Sequence, residues 1–440
     1  MKLVLALASL AAFAGSAAAK AVFAHVIVGV AQSYTVAQWE SDIALAQAAD
    51  IDAFVLNITP PWSGSATETQ VANAFKAAES TGFKLFFSFD YKGNGQAWSA
   101  SDIITVLQTY ASNDYHYKHN SLPLVSTFEG TDADNINDWS TIKSQVSSDI
   151  FLVPDWTSLG TTEFATHLDI VDGAFSWDMW PEGPNNMTNA SDVAWTNAIG
   201  SDKAYMMGVS PWFYTDLPGY NKAWVWRGDS MWHERWQQAI DLQPEFVEIV
   251  TWNDYGESHY IGPIWSDGIP QGDNINAHTY VDGMPHDAWR DLLPYYISQY
   301  KTGSADVTTE KLQYWYRLTP GAAGTTEATG NNCKSDINIY GYQTCYDPNE
   351  IAEDGVFVTA LLSSPATVTI KIGDNDATSF EATAAGANHF SRPFNGQTGK
   401  VVISIVRDSA TVLSGTGEAI LEKPTSGVTN YNAWVGGVSA

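Results

Sequence analysis

Short apolar runs alternate with longer stretches of helical period over most of this chain. The runs fall at residues 22–29, 53–58, 84–91, 124–130, 151–156, 173–180, 204–214 and 246–252. Each is close to the length of a buried strand, about four to eight residues. Between the first two, residues 36–48 place Trp39, Ile43, Leu45 and Ala46 on or near one helical face; residues 67–81 do likewise before the third. Strands that alternate with helices pair in parallel and bury both faces. Eight such units therefore predict an α/β fold, a (β/α)8 barrel over residues 20–304. Residues 178–202 show no clear period and are expected to form a long loop.

Near residues 301–304 the pattern changes. The runs at 313–318, 355–362, 366–372, 378–382 and 400–408 are mostly rich in β-branched residues and bounded by Gly, Pro, Asn and Ser. No useful helical period remains, so residues 305–440 are expected to be an all-β sandwich.

The first residues belong to neither unit. Lys2 precedes a short apolar run at 3–15 and the small residues Ala17, Ala18 and Ala19. This reads as a signal peptide over 1–19, with a secreted mature chain starting near Lys20. No later run is long and apolar enough to span a bilayer. The formal charge is -28, from 49 acidic and 21 basic residues. Nucleic acid and anionic membranes are repelled by such a surface, whereas a neutral sugar is not. The chain is read as a monomer without a cofactor. In a secreted chain the two cysteines, Cys333 and Cys345, are expected to form one disulfide. Asn57, Asn186 and Asn189 head glycosylation sequons, although Asn57 ends an apolar run, where burial would prevent modification. His116 and His119 have helical spacing, but the Asp, Asn and Tyr around them suggest a solvated loop, and no metal site is expected.

In a barrel of this kind, chemistry sits at the C-terminal ends of the strands. Here those ends carry Asp90, Glu129, Asp155 and Asp178, and the last carries Asp254 and Glu257. Trp62, Tyr91, Trp156, Trp177, Trp180, Trp212, Tyr214 and Trp252 lie at or just beyond strand ends. Acids gathered among flat aromatic faces suit glycoside hydrolysis. One carboxyl protonates the leaving oxygen; a second activates water or attacks the sugar. Crowding pushes their pKa values apart, so acid and base coexist near one pH. Glu129, Asp155, Asp178 and the aromatics are taken as sugar-binding or supporting residues. His259 is taken to orient a carboxylate or contact sugar. Three extended residues from Asp254 to Glu257 span about 10 Å, and Gly256 permits a turn that shortens this. The spacing leaves inversion and retention both open.

The segment from Trp252 to Tyr260, WNDYGESHY, followed by Ile261, Gly262 and Pro263, resembles the signature of glycoside hydrolase family 71. These are the fungal α-1,3-glucanases, or mutanases. The stretches His25-Val26-Ile27-Val28-Gly29, Phe87-Ser88-Phe89-Asp90 and Tyr314-Trp315-Tyr316-Arg317 match the same pattern. The resemblance implies endo-hydrolysis of α-1,3-glucan with inversion, a barrel followed by a β-sandwich, and three essential acids: Asp90, Asp254 and Glu257. The first ordering of roles makes Glu257 the acid and Asp254 the base. Competing readings are a barrel glycosidase for another glucan linkage and a non-catalytic wall-binding glycoprotein. The second needs aromatic residues but no paired carboxylates.

Overall fold

The computed structural model describes residues 20–147, 149–328 and 344–440. The expected leader at 1–19 and Cys333 lie outside the described residues.

Eight parallel strands make up the larger sheet, apart from a short antiparallel strand, Lys118–His119, paired with β4: β1 (Ala21–Ile27), β2 (Ala53–Ile58), β3 (Lys84–Asp90), β4 (Leu122–Phe128), β5 (Phe151–Leu152), β6 (Gly173–Ser176), β7 (Ala204–Val209) and β8 (Phe246–Ile249). Their order is β5-β4-β3-β2-β1-β8-β7-β6. The sheet curls, and its two ends are linked by an isolated parallel bridge between Asp155 and Phe175. There the Phe175 N–H donates to the Pro154 carbonyl at 3.0 Å, and the Asp172 N–H to the Leu152 carbonyl at 2.8 Å. Pro154 offers no N–H, which helps explain why β5 stops so early.

The alternation of side chains divides the sheet residues into two sets. Phe23, Val55, Phe86, Leu124, Val153, Phe175, Met206 and Phe246 cluster together without any helix residue and fill the inside of the curl. Ala24, Phe54, Phe87, Val125, Leu152, Ala174, Met207 and Val247 pack outward. They meet Trp39 and Ile43 of α1 (Val36–Ala48), Val71 and Phe75 of α2 (Ala66–Thr81), Ile103 and Leu107 of α3 (Ala100–Tyr110), and Ile136 and Trp139 of α4 (Ala133–Gln145). Both faces are thus apolar, which is why the strands read as near-continuous hydrophobic runs. Local signals set the helix starts: Thr35 and Gln38 form a capping box, and Ser65 and Ser99 accept backbone N–H groups at the next two.

Several details depart from the expected pattern. Within 178–202, residues Ala190–Ile199 form a helix, α5, held by buried Trp195 and Asp192. The run at 204–214 is not one strand: β7 ends at Val209, and Tyr214–Leu217 pairs with Lys222–Val225 in a hairpin. His116 and His119 are buried, not solvated; His116 Nε2 lies 2.9 Å from the Leu124 carbonyl, and His119 packs on Phe151 and Phe246. Asn57 is buried on β2 and bonds to Asp90, so it is not an accessible glycan acceptor in the folded chain. Asn186 is exposed and Asn189 half-buried.

The C-terminal part contains two four-stranded antiparallel sheets. One takes β9 (Lys311–Tyr316), β10 (Gly355–Leu362), Gly386–Pro393 and Trp434–Ser439; the other takes Ala366–Ile372, Thr378–Ala382, Gly399–Arg407 and Ala410–Ile420. Leu312, Val356 and Val358 from the first share an apolar cluster with Val368, Ile370 and Ile403 from the second. The other face of the first sheet packs on the parallel-sheet unit through Trp315, Phe357 and Val435. The Trp315 indole N–H donates to the Asp229 carbonyl at 2.7 Å, and His286 Nε2 lies 2.9 Å from the Ala433 carbonyl.

A buried ion pair joins α5 to α6 (Met231–Leu242). Arg235 grips Asp192 through Nη1 at 2.5 Å and Nη2 at 2.8 Å, and its Nε donates to the Gly208 carbonyl at the end of β7. Arg235→Met strands a buried carboxylate and is expected to cost about 3–5 kcal/mol in urea unfolding. Arg235→Met combined with Asp192→Leu should recover much of that loss. Equal instability of the single and double variants would show that the pair is not its source.

Candidate active site

The site is built on the segment that follows β8. The Asn253 side chain pins it to β1: Oδ1 accepts the Ile27 N–H at 2.8 Å and Nδ2 donates to the Ile27 carbonyl at 3.1 Å. The loop then closes on itself, because the Thr251 N–H donates to His259 and the Ile261 N–H donates to Thr251, each at 3.0 Å. Inside it the Asp254 N–H donates to Thr251 Oγ1 at 2.9 Å, and the Glu257 N–H donates to Asp254 Oδ1 at 3.0 Å.

This folding back brings Asp254, Glu257 and His259 together, each with one side-chain N or O atom within 4.8 Å of the others. Lys222 reaches in from the hairpin, its Nζ 2.8 Å from Glu257 Oε1. His259 Nε2 lies 3.1 Å from Glu257 Oε2, and His259 Nδ1 lies 3.0 Å from Thr251 Oγ1. A carboxylate only accepts, so the imidazole proton belongs on Nε2 and the threonine hydroxyl donates to Nδ1. Three possible metal ligands meet here, but a divalent ion bound to Glu257 would face the Lys222 ammonium.

The two acids experience opposite fields. Burial raises Glu257, but the Lys222 ammonium and the His259 contact outweigh it and hold the carboxyl well below its usual range. Burial and then the charge of Glu257 push Asp254 up. Asp90, at the end of β3, is also raised by burial, partly offset by the Gly93 and Lys92 N–H groups, at 2.7 and 2.8 Å from Oδ1.

The remaining acids are spread along the neighbouring strand ends. Glu129 and Asp178 are half-buried and bonded to hydroxyls, Glu129 to Ser158 at 2.5 Å and Asp178 to Ser191 at 2.6 Å. Asp155 is fully buried and cannot touch a ligand directly. Burial, then the Glu129 charge, drives it well above the carboxylate range, and its Oδ1 accepts from Thr157 to turn the chain.

Six of the eight expected aromatic residues lie elsewhere. Trp62, Tyr91, Trp156, Trp212, Tyr214 and Trp252 are each 5% exposed or less and offer no face to a sugar. Trp156 packs on Phe164, Trp62 on Tyr110 and Tyr214 on Tyr280; Tyr91 lies under Gly130. The Trp212 indole donates to the Tyr431 carbonyl, and that of Trp252 to Asp42. Trp177 and Trp180 are half-exposed. Trp180 stacks with Trp226 at 6.4 Å and lies 5.6 Å from His259, beside Phe213. Trp226, Phe213 and Lys222 were not among the expected site residues. All three belong to the hairpin or its flanks, and nothing in its composition marks it as part of the site.

The profile of glycosyl hydrolase family 71 matches residues 18–440. The chain belongs to this family. It is therefore an enzyme, a glycoside hydrolase. It is 36% identical to glucan endo-1,3-alpha-glucosidase agn1 of Schizosaccharomyces pombe, covering 95% of this chain and 94% of that protein. It is 34% identical to mutanase Pc12g07500 of Penicillium rubens, covering 95% of this chain and 88% of that protein. The ascus wall endo-1,3-alpha-glucanase of S. pombe is 33% identical over 64% of this chain and 66% of its own length. Among solved structures, a GH99 endo-alpha-mannosidase from Bacteroides thetaiotaomicron gives a TM-score of 0.48 at 14% identity, covering 64% of this chain and 97% of that one. Among the described residues no helix is long and apolar enough to cross a membrane.

Replacing Lys222 by Met removes the main attraction that keeps Glu257 ionised. Its pKa then rises toward or past the ordinary 4.5. Protonation on acidification therefore comes at higher pH, and the acid limb of the pH–rate profile for glucan hydrolysis should shift upward. An acid limb that stays in place would show that Lys222 does not hold this carboxylate.

Proposed function

We propose that this glycoside hydrolase is a secreted endo-acting α-1,3-glucanase that inverts the anomeric centre. The observation that carries the reading is the loop holding Asp254, Glu257 and His259 against Lys222. It is supported by the names of the relatives, glucan endo-1,3-alpha-glucosidase and mutanase, at 36% and 34% identity over 95% of the chain. The same reading treats residues 1–19 as a leader, 20–304 as a (β/α)8 barrel and 305–440 as an accessory sandwich. The Asp155–Phe175 bridge supports closure of that barrel. A Cys333–Cys345 disulfide and glycans on Asn186 and Asn189 suit secretion.

The geometry favours a division of labour different from the first ordering. Inverting enzymes keep acid and base about 6.5–9.5 Å apart to admit a water. Asp254 and Glu257, within 4.8 Å, form one pole. Glu257 is the ionised member, so it serves as the base, with Asp254 beside it. Asp90 is three strand positions away, across β2 and β1 from β8. It supplies the opposing acid, since burial favours its protonated form. Asp90 gives its proton to the glycosidic oxygen as the C1–O bond breaks. Water gives a proton to Glu257 as the new C1–O bond forms, and solvent returns both groups to their starting states. Trp177 and Trp180 provide apolar faces for the sugar, and Glu129 and Asp178 bind its hydroxyls.

Asp90→Asn, Asp254→Asn and Glu257→Gln should each lower kcat by about 10²–10⁴-fold while the protein still binds insoluble glucan. Near-normal turnover in any of them would remove that residue from the mechanism. Activity on insoluble α-1,3-glucan, compared with β-1,3- and α-1,4-glucans, tests the linkage. Proton NMR of the earliest products should show the β-anomer at the new reducing end. An initial α-anomer would mean retention and would break this assignment.

A further inference from the structure

On the inward face of the sheet lies a pair of ionisable side chains with no role in the mechanism so far. His25 of β1 and Glu248 of β8 lie on adjacent strands, with Nδ1 2.6 Å from Oε1. Both side chains are at most 1% exposed. Two ionisable groups inside a sheet core are costly, and an apolar pair of similar volume there is often no less stable. Stability alone therefore does not account for the pair.

One side of the pair is already satisfied by its internal hydrogen bond. The other nitrogen, His25 Nε2, is buried and has no partner among the described residues, nor has Glu248 Oε2. His25 lies one inward position below Ile27, which pairs in register with Asn57 on β2; Asn57 pairs in turn with Ser88 on β3 and hydrogen-bonds the carboxyl of Asp90. Burial dominates at that carboxyl, and His25 is near enough to act against it. The Trp177 ring lies edge-on to the imidazole at 5.3 Å. By strand parity the pair shares the inward face of the sheet with Asp90.

We propose that His25 and Glu248 form a positioning pair for Asp90. Glu248 fixes the imidazole ring, and the imidazole steadies the carboxylate left when Asp90 gives its proton to the leaving oxygen. The backbone N–H groups of Lys92 and Gly93 do the same from the other side. This rests on the assignment of Asp90 as the acid. It adds residues from β1 and β8 that touch no substrate.

The test replaces the pair by apolar groups, His25→Phe with Glu248→Met, so that no unpaired charge is buried. A purely structural pair predicts an unchanged kcat. A positioning pair predicts kcat lower by on the order of 10- to 100-fold, the usual loss for a removed supporting partner. KM for a soluble α-1,3-glucan oligosaccharide should change little, and the melting temperature should not fall. A substrate with a good leaving group needs less protonation, so the loss should shrink with it. Added to Asp90→Asn, the double replacement should cause no further loss, because both act through one group. Glu248→Gln, which keeps the hydrogen-bonded shape without the charge, covers the case of a misfolded double variant and should still lower kcat. Wild-type kcat in either variant, with Asp90→Asn impaired, would overturn the positioning pair. Wild-type kcat in Asp90→Asn itself would instead overturn the acid assignment on which it rests.

Discussion

The placement of several carboxyl groups at one end of a parallel sheet constrains everything around them. Asp254 and Glu257 lie within 4.8 Å of each other. Two full charges at that distance repel by about 3.5 kcal/mol at an effective dielectric of 20. That is roughly two to three pK units. Both cannot stay ionised unless a cation is brought in, and the hairpin carrying Lys222 brings one. The other acids are accommodated differently. Asp90 takes backbone N–H groups, Glu129 and Asp178 take hydroxyls, and Asp155 is driven toward its neutral form. Few of these partners are cations, and Asp254 and Glu257 are pushed in opposite directions. In general such a spread lets one carboxyl give a proton while another takes one.

The C-terminal sheets take part in holding this arrangement. Asn432 donates to the Tyr280 carbonyl at 2.9 Å, and the Tyr280 hydroxyl donates to the Gly256 carbonyl at 2.8 Å, between the two acids of the loop that follows β8. The Trp212 indole, just ahead of the Lys222 hairpin, donates to the Tyr431 carbonyl. The loop and the hairpin must meet to within a hydrogen bond, and both are braced by the segment that leads into the last strand. Tyr214 closes the contact, its N–H donating to the Glu257 carbonyl at 3.0 Å. The sandwich is therefore a support for the acid pair as well as a second core.

What could be read in the sequence follows the range over which each feature is determined. Strand positions were legible, because two-sided burial writes them as apolar runs. The acids at the strand ends were legible for the same reason. The aromatics were misjudged because position at a strand end was used without its parity. Phe175 faces inward and so does Trp177, two residues on; Val153 faces inward, which turns Trp156 to the helix side against Phe164. Parity would have separated these two. It could not have found Lys222, whose place depends on how the hairpin folds over the cleft. Helix α5 was hidden because its register is fixed by Asp192 and Arg235, residues that read as solvent-facing until they pair. In the second sheet of the sandwich, the Ala410–Ile420 strand was missed because glycines replace bulky residues along it. Gly417 leaves room for Tyr316, whose hydroxyl would sit 2.3 Å from a Cβ there.

The spacing within the WNDYGES segment shows why geometry has to follow sequence. Three extended residues would hold Asp254 and Glu257 about 10 Å apart, far enough to be the two poles of an inverting site. The chain does not stay extended. The Glu257 N–H turns back onto Asp254 Oδ1, Ser258 adopts a φ of 59°, and His259 pairs with Thr251. Gly256 lies at the crest, where a Cβ would meet Leu217, Pro270 and Asp254 at 3.3 to 3.4 Å. A larger residue would have to push the hairpin away or open the loop. The tight turn makes the two acids of the motif neighbours, sharing one field and one cation. If they form a single pole, the other must come from a different strand, and Asp90 suits that role, with backbone donors at one oxygen and the His25–Glu248 pair on the same inward face. On that reading the distance between acid and base is set by the curl of the sheet between β3 and β8, outside the motif itself.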